Sequence, residues 1–146
     1  MKLSPAAEIA VRGVLVLAEQ YGQGPVTLQR ICERRKLPRQ YLVKIFADLA
    51  RAGLIQPVRG KHGGFQLARE PGGITVLQVV EAVEGPIALN LCQHSPPQCP
   101  DIECRIRPVW SRLQKAVRDE LGKLTLAQCV AEADATCRKP QRGQAG

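Results

Sequence analysis

The sequence predicts a mainly α-helical fold carrying one small β-hairpin. Three observations predict it. Apolar residues recur at three- and four-residue steps over most of the chain, and the period shortens only between Leu54 and Ala68. That stretch is itself split by Arg59-Gly60-Lys61-His62-Gly63-Gly64. At 146 residues the chain holds one ordinary core with an appendage, which excludes a large multi-domain enzyme.

Ser4 and Pro5 form a helix start, and Ala6, Ala10, Val14, Leu17, Ala18 and Tyr21 continue the pattern until Gly22 and Gly24. Thr27 caps a second helix of about nine residues, with Leu28, Ile31 and Cys32 on its apolar side, cut short by Leu37-Pro38. A third helix begins near Pro38 or Arg39, turns Tyr41, Leu42, Ile45, Phe46 and Leu49 inward, and stops at Gly53. Leu54 to Val58 and Phe65 to Ala68 then read as two strands joined by the basic, glycine-rich tip. Thr75-x-x-Gln78 fits a capping box and opens a helix that runs to Gly85-Pro86. Residues 90–105 hold three cysteines and three prolines with no apolar period, and form a loop of their own. Pro108 opens a long helix with Val109, Trp110, Leu113, Val117 and Leu121 on one side, and Thr125-x-x-Gln128 starts a last short one. The tail from Arg138 is polar and basic. The organisation expected is therefore a head over residues 1–85, a cysteine loop over 86–105, a long helix and a terminal helix over 106–135, and a tail over 136–146.

Helix, short helix, tight turn, helix and hairpin is the order of a winged helix-turn-helix. The charge follows that geometry. The formal net charge is +8, with 12 Lys and Arg against 5 Asp and Glu through Glu70, and 9 against 8 beyond it. A cationic half suits an anionic partner, and double-stranded DNA is the one this fold meets, because each neutralised phosphate releases counterions. Arg34 and Arg35 precede the turn. Arg39, Gln40, Tyr41 and Lys44 start the expected recognition helix, where Arg39 and Gln40 reach base edges and Tyr41 has burial as its competing role. Arg59, Lys61 and His62 stand at the wing tip among glycines that permit close approach to DNA.

Cys92-x6-Cys99-x4-Cys104 places three thiols in one loop, and thiolates select zinc or iron-sulfur clusters. No C-x2-C pair occurs, which disfavours zinc. A cluster calls for a fourth ligand, and spacing leaves His94, Glu8, Cys32, Cys129 and Cys137 all open, with Cys32 also suited to plain core packing.

Several stretches together resemble the Rrf-two family of bacterial winged-helix regulators, in particular its cluster-bearing IscR-, NsrR- and RirA-like members. They are Met1-Lys2-Leu3-Ser4, Ala52-Gly53-Leu54-Ile55, Val58-Arg59-Gly60-x-x-Gly63-Gly64-Phe65-x-Leu67, Ile74-Thr75-Val76, Glu81-Ala82-Val83-Glu84-Gly85 and the three-cysteine loop. The resemblance spans roughly residues 1–130. It implies a homodimeric repressor in which the helix from about Pro108 to Leu121 packs on its symmetry mate. It further implies a two-iron or four-iron cluster on Cys92, Cys99 and Cys104. IscR-like members place a histidine shortly after the third cysteine, where this chain has Arg105, Ile106 and Arg107. NsrR-like members can use a helix-one carboxylate of the other protomer, which points to Glu8 of the partner subunit, with His94 as the rival. The six-then-four cysteine spacing and Pro38 at the cap of the recognition helix both depart from the family pattern.

These readings imply a cytoplasmic transcriptional regulator that senses nitric oxide, redox or iron status through a labile cluster. A metal-free thiol or disulfide switch on the same three cysteines is the alternative. Catalysis is not expected: there is no Ser/His/Asp set, no phosphate-binding glycine loop, and only His62 and His94 as histidines. No apolar run approaches the length of a membrane span, and no signal peptide is read at the start.

Overall fold

The computed structural model describes residues 2–137. Six helices and one hairpin follow in the order α1 (Pro5–Glu19), α2 (Leu28–Arg35), α3 (Arg39–Arg51), β1 (Ile55–Val58), β2 (Gly64–Leu67), α4 (Val76–Glu84), α5 (Arg107–Lys123) and α6 (Leu126–Cys137). The expected mainly α fold with a small hairpin is what forms, and the helix starts arise from local chemistry. The Ser4 hydroxyl accepts from the Ala7 N–H at 3.1 Å and Thr27 from the Arg30 N–H at 3.2 Å. Thr75 and Gln78 close a reciprocal capping box, and Thr125 and Gln128 exchange the same pair of bonds.

The core is the inner stripe of α3 packed on α1 and α2. Leu42, Ile45, Phe46 and Leu49 are buried with Val14, Leu17 and Ile31, and the Phe46 and Phe65 rings meet edge to face at 5.1 Å. Burying a side chain such as Phe46 stabilises by about 2 to 3 kcal/mol. Gly13 is what lets α1 approach α3: a Cβ there would stand 2.9 Å from the Phe46 ring and 3.1 Å from Leu42.

The wing pairs antiparallel, Ile55 with Leu67 through to Val58 with Gly64. It does not stand free. Val26, just ahead of α2, exchanges both backbone hydrogen bonds with Phe65, each 2.8 Å. Gly64, at φ +151, makes this possible, since a Cβ there would collide with the Val26 carbonyl oxygen.

The terminal half differs from expectation in one place. The last helix, α6, is a full helix of 12 residues that returns to the head. Leu126 is wholly buried in the main core, and the Leu126 N–H reaches the Ile74 carbonyl at 2.9 Å. The long helix α5 has no buried residue: Val109, Trp110, Val117 and Leu121 are half-buried and Leu113 is exposed. Its other side carries Lys115 and Lys123 paired with Asp119 and Glu120. The hydrogen bond from Lys115 holds the Asp119 carboxyl below its ordinary range, and the one to Glu120 raises Lys123. Among the described residues, no helix is long and apolar enough to cross a membrane.

Candidate nucleic-acid interface and cysteine loop

The stripe Leu42, Ile45, Phe46, Leu49 turns one side of α3 into the core and leaves Arg39, Gln40, Tyr41, Val43, Lys44 and Ala47 exposed. Tyr41 corrects the expectation that it faces inward, being 63% exposed. It lies about 100° round the helix from Leu42, outside the stripe that Leu42 and Phe46 centre, so its ring joins the polar face. The outer face of α3 is thus two cations, an amide, an aromatic hydroxyl and the half-exposed aliphatic Val43. Such a set can donate to base edges and phosphates and touch a thymine methyl.

Arg34 and Arg35 are brought elsewhere. Both guanidiniums meet the carboxylate of Glu19 at the last turn of α1, with Arg34 at 2.7 Å and Arg35 on the other oxygen. Sequence reasoning missed Glu19, because its proximity to α2 depends on how two helices cross, which no spacing along the chain encodes. At the wing, Arg59, Lys61 and His62 are all exposed on the tip between β1 and β2. Their backbone is a tight turn in which the Gly63 N–H reaches the Gly60 carbonyl at 3.0 Å.

The loop from Gly85 to Ile106 connects head to α5. A short 3₁₀ turn, Leu91–Gln93, starts its cysteine region, and the Gln98 N–H closes back on the Leu91 carbonyl at 2.9 Å. Cys92, Cys99 and Cys104 are all half-buried free thiols, a donor set whose softness fits an iron-sulfur cluster. Cys92 Sγ accepts from the Gln93 amide at 3.2 Å. Within the single chain, no three His, Cys, Asp or Glu side chains among the described residues converge on a metal-sized point. His94 lines an open groove of about 720 Å³ with Leu3, Ile87, Leu89, Val117 and Leu121. Glu8 is exposed on the first turn of α1.

The remaining cysteines fall in different surroundings. Cys32 is half-buried against the main core. Cys129 packs against a second apolar cluster with Val80 and Ile87, where burial, reinforced by the nearby Glu132 carboxylate, pushes its thiol pKa up. The side chain of Cys137 and the tail from Arg138 lie outside the described residues.

The model of the Rrf2 family, described as an iron-dependent transcriptional regulator, matches residues 3–132. The chain belongs to the Rrf2 family. Among relatives, the HTH-type transcriptional regulator CymR of Bacillus subtilis is 32% identical over 135 residues, covering 92% of this chain and 93% of that protein. The regulator IscR of Xenorhabdus nematophila is 32% identical over 130 residues, or 89% of this chain and 79% of that protein. Among solved structures, B. subtilis CymR, described as the global cysteine regulator, superposes with a TM-score of 0.79 at 29% identity, over 90% of this chain and 98% of that one. T. potens IscR superposes with a TM-score of 0.78 at 31% identity, over 99% and 94%. As an Rrf2 protein the chain is a winged-helix transcriptional regulator and not an enzyme.

Proposed function

We propose that the chain is a homodimeric, cytoplasmic repressor that reads operator DNA through α3 and the wing and whose affinity is set by an iron-sulfur cluster, 2Fe-2S or 4Fe-4S, on the cysteine loop. Arg39, Gln40, Tyr41 and Lys44 serve the major groove, and Arg59, Lys61 and His62 the flanking backbone or minor groove. Arg34 and Arg35 add to the field from behind their pairing with Glu19. The observation that carries the sensing part is the position of three free, half-buried thiols in the one segment that joins α4 of the head to α5.

Cys92, Cys99 and Cys104 would hold the cluster, with Glu8 of the partner subunit as fourth ligand and His94 as its rival. Bound there, the cluster supplies an iron centre open to nitric oxide, oxygen or chelators, the more so for a carboxylate ligand poorly matched to a soft site. The chain's own residues provide the transmission. The Leu89 N–H at the loop start donates to Gln114 of α5 at 3.1 Å, and Glu81 of α4 pairs with Arg118 of α5 while accepting from the Ile87 N–H. Rearranging the loop therefore shifts α5 against the head. The exposed Ile106 and Leu113, with half-buried Val109 and Trp110, supply the apolar face by which α5 packs on its symmetry mate.

A second reading, a metal-free thiol switch on the same cysteines, is favoured by their being free, half-buried thiols in one loop. The existence of an oxidised form of Staphylococcus aureus CymR, 30% identical with a TM-score of 0.71, also supports it. The operator affinities of cluster-loaded and cluster-free protein test the proposal. A useful switch needs a difference on the order of 1 to 3 kcal/mol, and equal affinities would contradict it.

A further inference from the structure

We propose that Lys36 is a DNA-phosphate contact, presented by a left-handed backbone at the turn between α2 and α3. The inference rests on the reading of α3 as the DNA-facing helix.

Lys36 caps α2 at φ 52 and ψ 51. It is the one residue other than glycine with positive φ among the described residues. A Cβ crowds the following carbonyl in that region, which is why glycine or asparagine ordinarily fills such a cap. The chain needs the conformation here. The N–H groups of Lys36 and Leu37 both turn back to the Cys32 carbonyl, the latter at 3.0 Å, and the reversal must finish before α3 starts at Arg39. Lysine offers nothing to ease it, having no short polar group to bond its own backbone. A residue that folding disfavours, in a strained conformation beside a binding surface, points to a use for its side chain.

The charge environment says which use. Arg34 and Arg35 are engaged by Glu19, whereas the exposed Lys36 ammonium makes no ion pair or hydrogen bond among the described residues. In the run Arg34-Arg35-Lys36 it is the cation without an ion-pair partner among the described residues. It stands three residues ahead of Arg39, at the end of α3 that carries Arg39 and Gln40. A single flexible ammonium suits a phosphate oxygen better than a base edge, so the contact is independent of sequence.

The test uses the full chain, a duplex selected from a random pool by the wild type, and a random duplex of equal length. Lys36→Gly should melt at a higher temperature than the wild type. It should bind both duplexes roughly threefold to tenfold more weakly near 0.1 M salt, with the slope of log K on log salt shallower by about 1. Lys36→Asn, also compatible with the left-handed cap, should lose the same affinity, and Lys36→Arg should keep it. Unchanged affinity and slope for Lys36→Gly, with Arg59→Ala weakened, would overturn the role of Lys36 and leave the reading head intact. Unchanged binding in both variants would overturn the reading head itself. A lowered melting temperature for Lys36→Gly would overturn the strain on which the inference stands.

Discussion

Glu19 and Arg34 form an ion pair at 2.7 Å that ties the end of α1 to α2, and the second oxygen of Glu19 holds Arg35. The Glu19 side chain is 21% exposed and the two arginine side chains 40% and 35%, so the network is partly shielded from water. One acid thus neutralises half of a charge pair that the sequence offers to DNA. Glu19→Gln should lower stability by about 1 kcal/mol and raise affinity for non-specific DNA, because two guanidiniums are released. Thermal unfolding and binding to a random duplex check this; weakened non-specific binding would contradict it.

The tether of the wing gives a second prediction. In Gly64→Ala the new methyl would collide with the Val26 carbonyl oxygen at a φ of +151, so the exchange between Val26 and Phe65 must open. A loss of about 1 to 3 kcal/mol in unfolding free energy is expected, with weaker operator binding and unaltered iron content. Wild-type stability in this variant would mean that the wing is not anchored through Val26.

Ligand assignment is tested on the loop. Cys99→Ala should abolish metal retention and Cys137→Ala should not, as read by iron per chain after anaerobic preparation. Glu8→Ala should form a cluster that decays faster. An unaltered decay rate would transfer the fourth position to His94 or to a ligand from solution.

Cys129 should behave as a structural thiol. Burial, with Glu132 nearby, raises its pKa above the ordinary thiol value, so the reactive thiolate appears only at higher pH. Alkylation of Cys129, followed site by site by mass spectrometry, should keep accelerating with pH beyond the range of a free thiol. Rapid labelling at neutral pH would contradict that environment.

The helices were legible because their signals are local. Ser4, Thr27, Thr75 and Thr125 each cap a helix, and the period of Leu42, Ile45, Phe46 and Leu49 marks the buried side of α3. The winged helix-turn-helix was legible from the order of its elements. Less visible was Tyr41, which shares a four-residue step with Ile45 yet falls outside the stripe, since a single apolar step does not fix how wide a buried face is. The course of α6 was also hidden: Leu126 enters the head core by pairing beside Ile74, a contact across about 50 residues that periodicity does not carry. The thiols were legible as a donor set from type and spacing, whereas where they stand relative to one another depends on loop geometry, which spacing does not carry.

Iron and acid-labile sulfide per chain, measured on protein purified without oxygen, test the central claim most directly. The account predicts iron and sulfide in equal amounts, both lost in Cys99→Ala. Protein free of iron and sulfide under those conditions, or holding zinc alone, would contradict it.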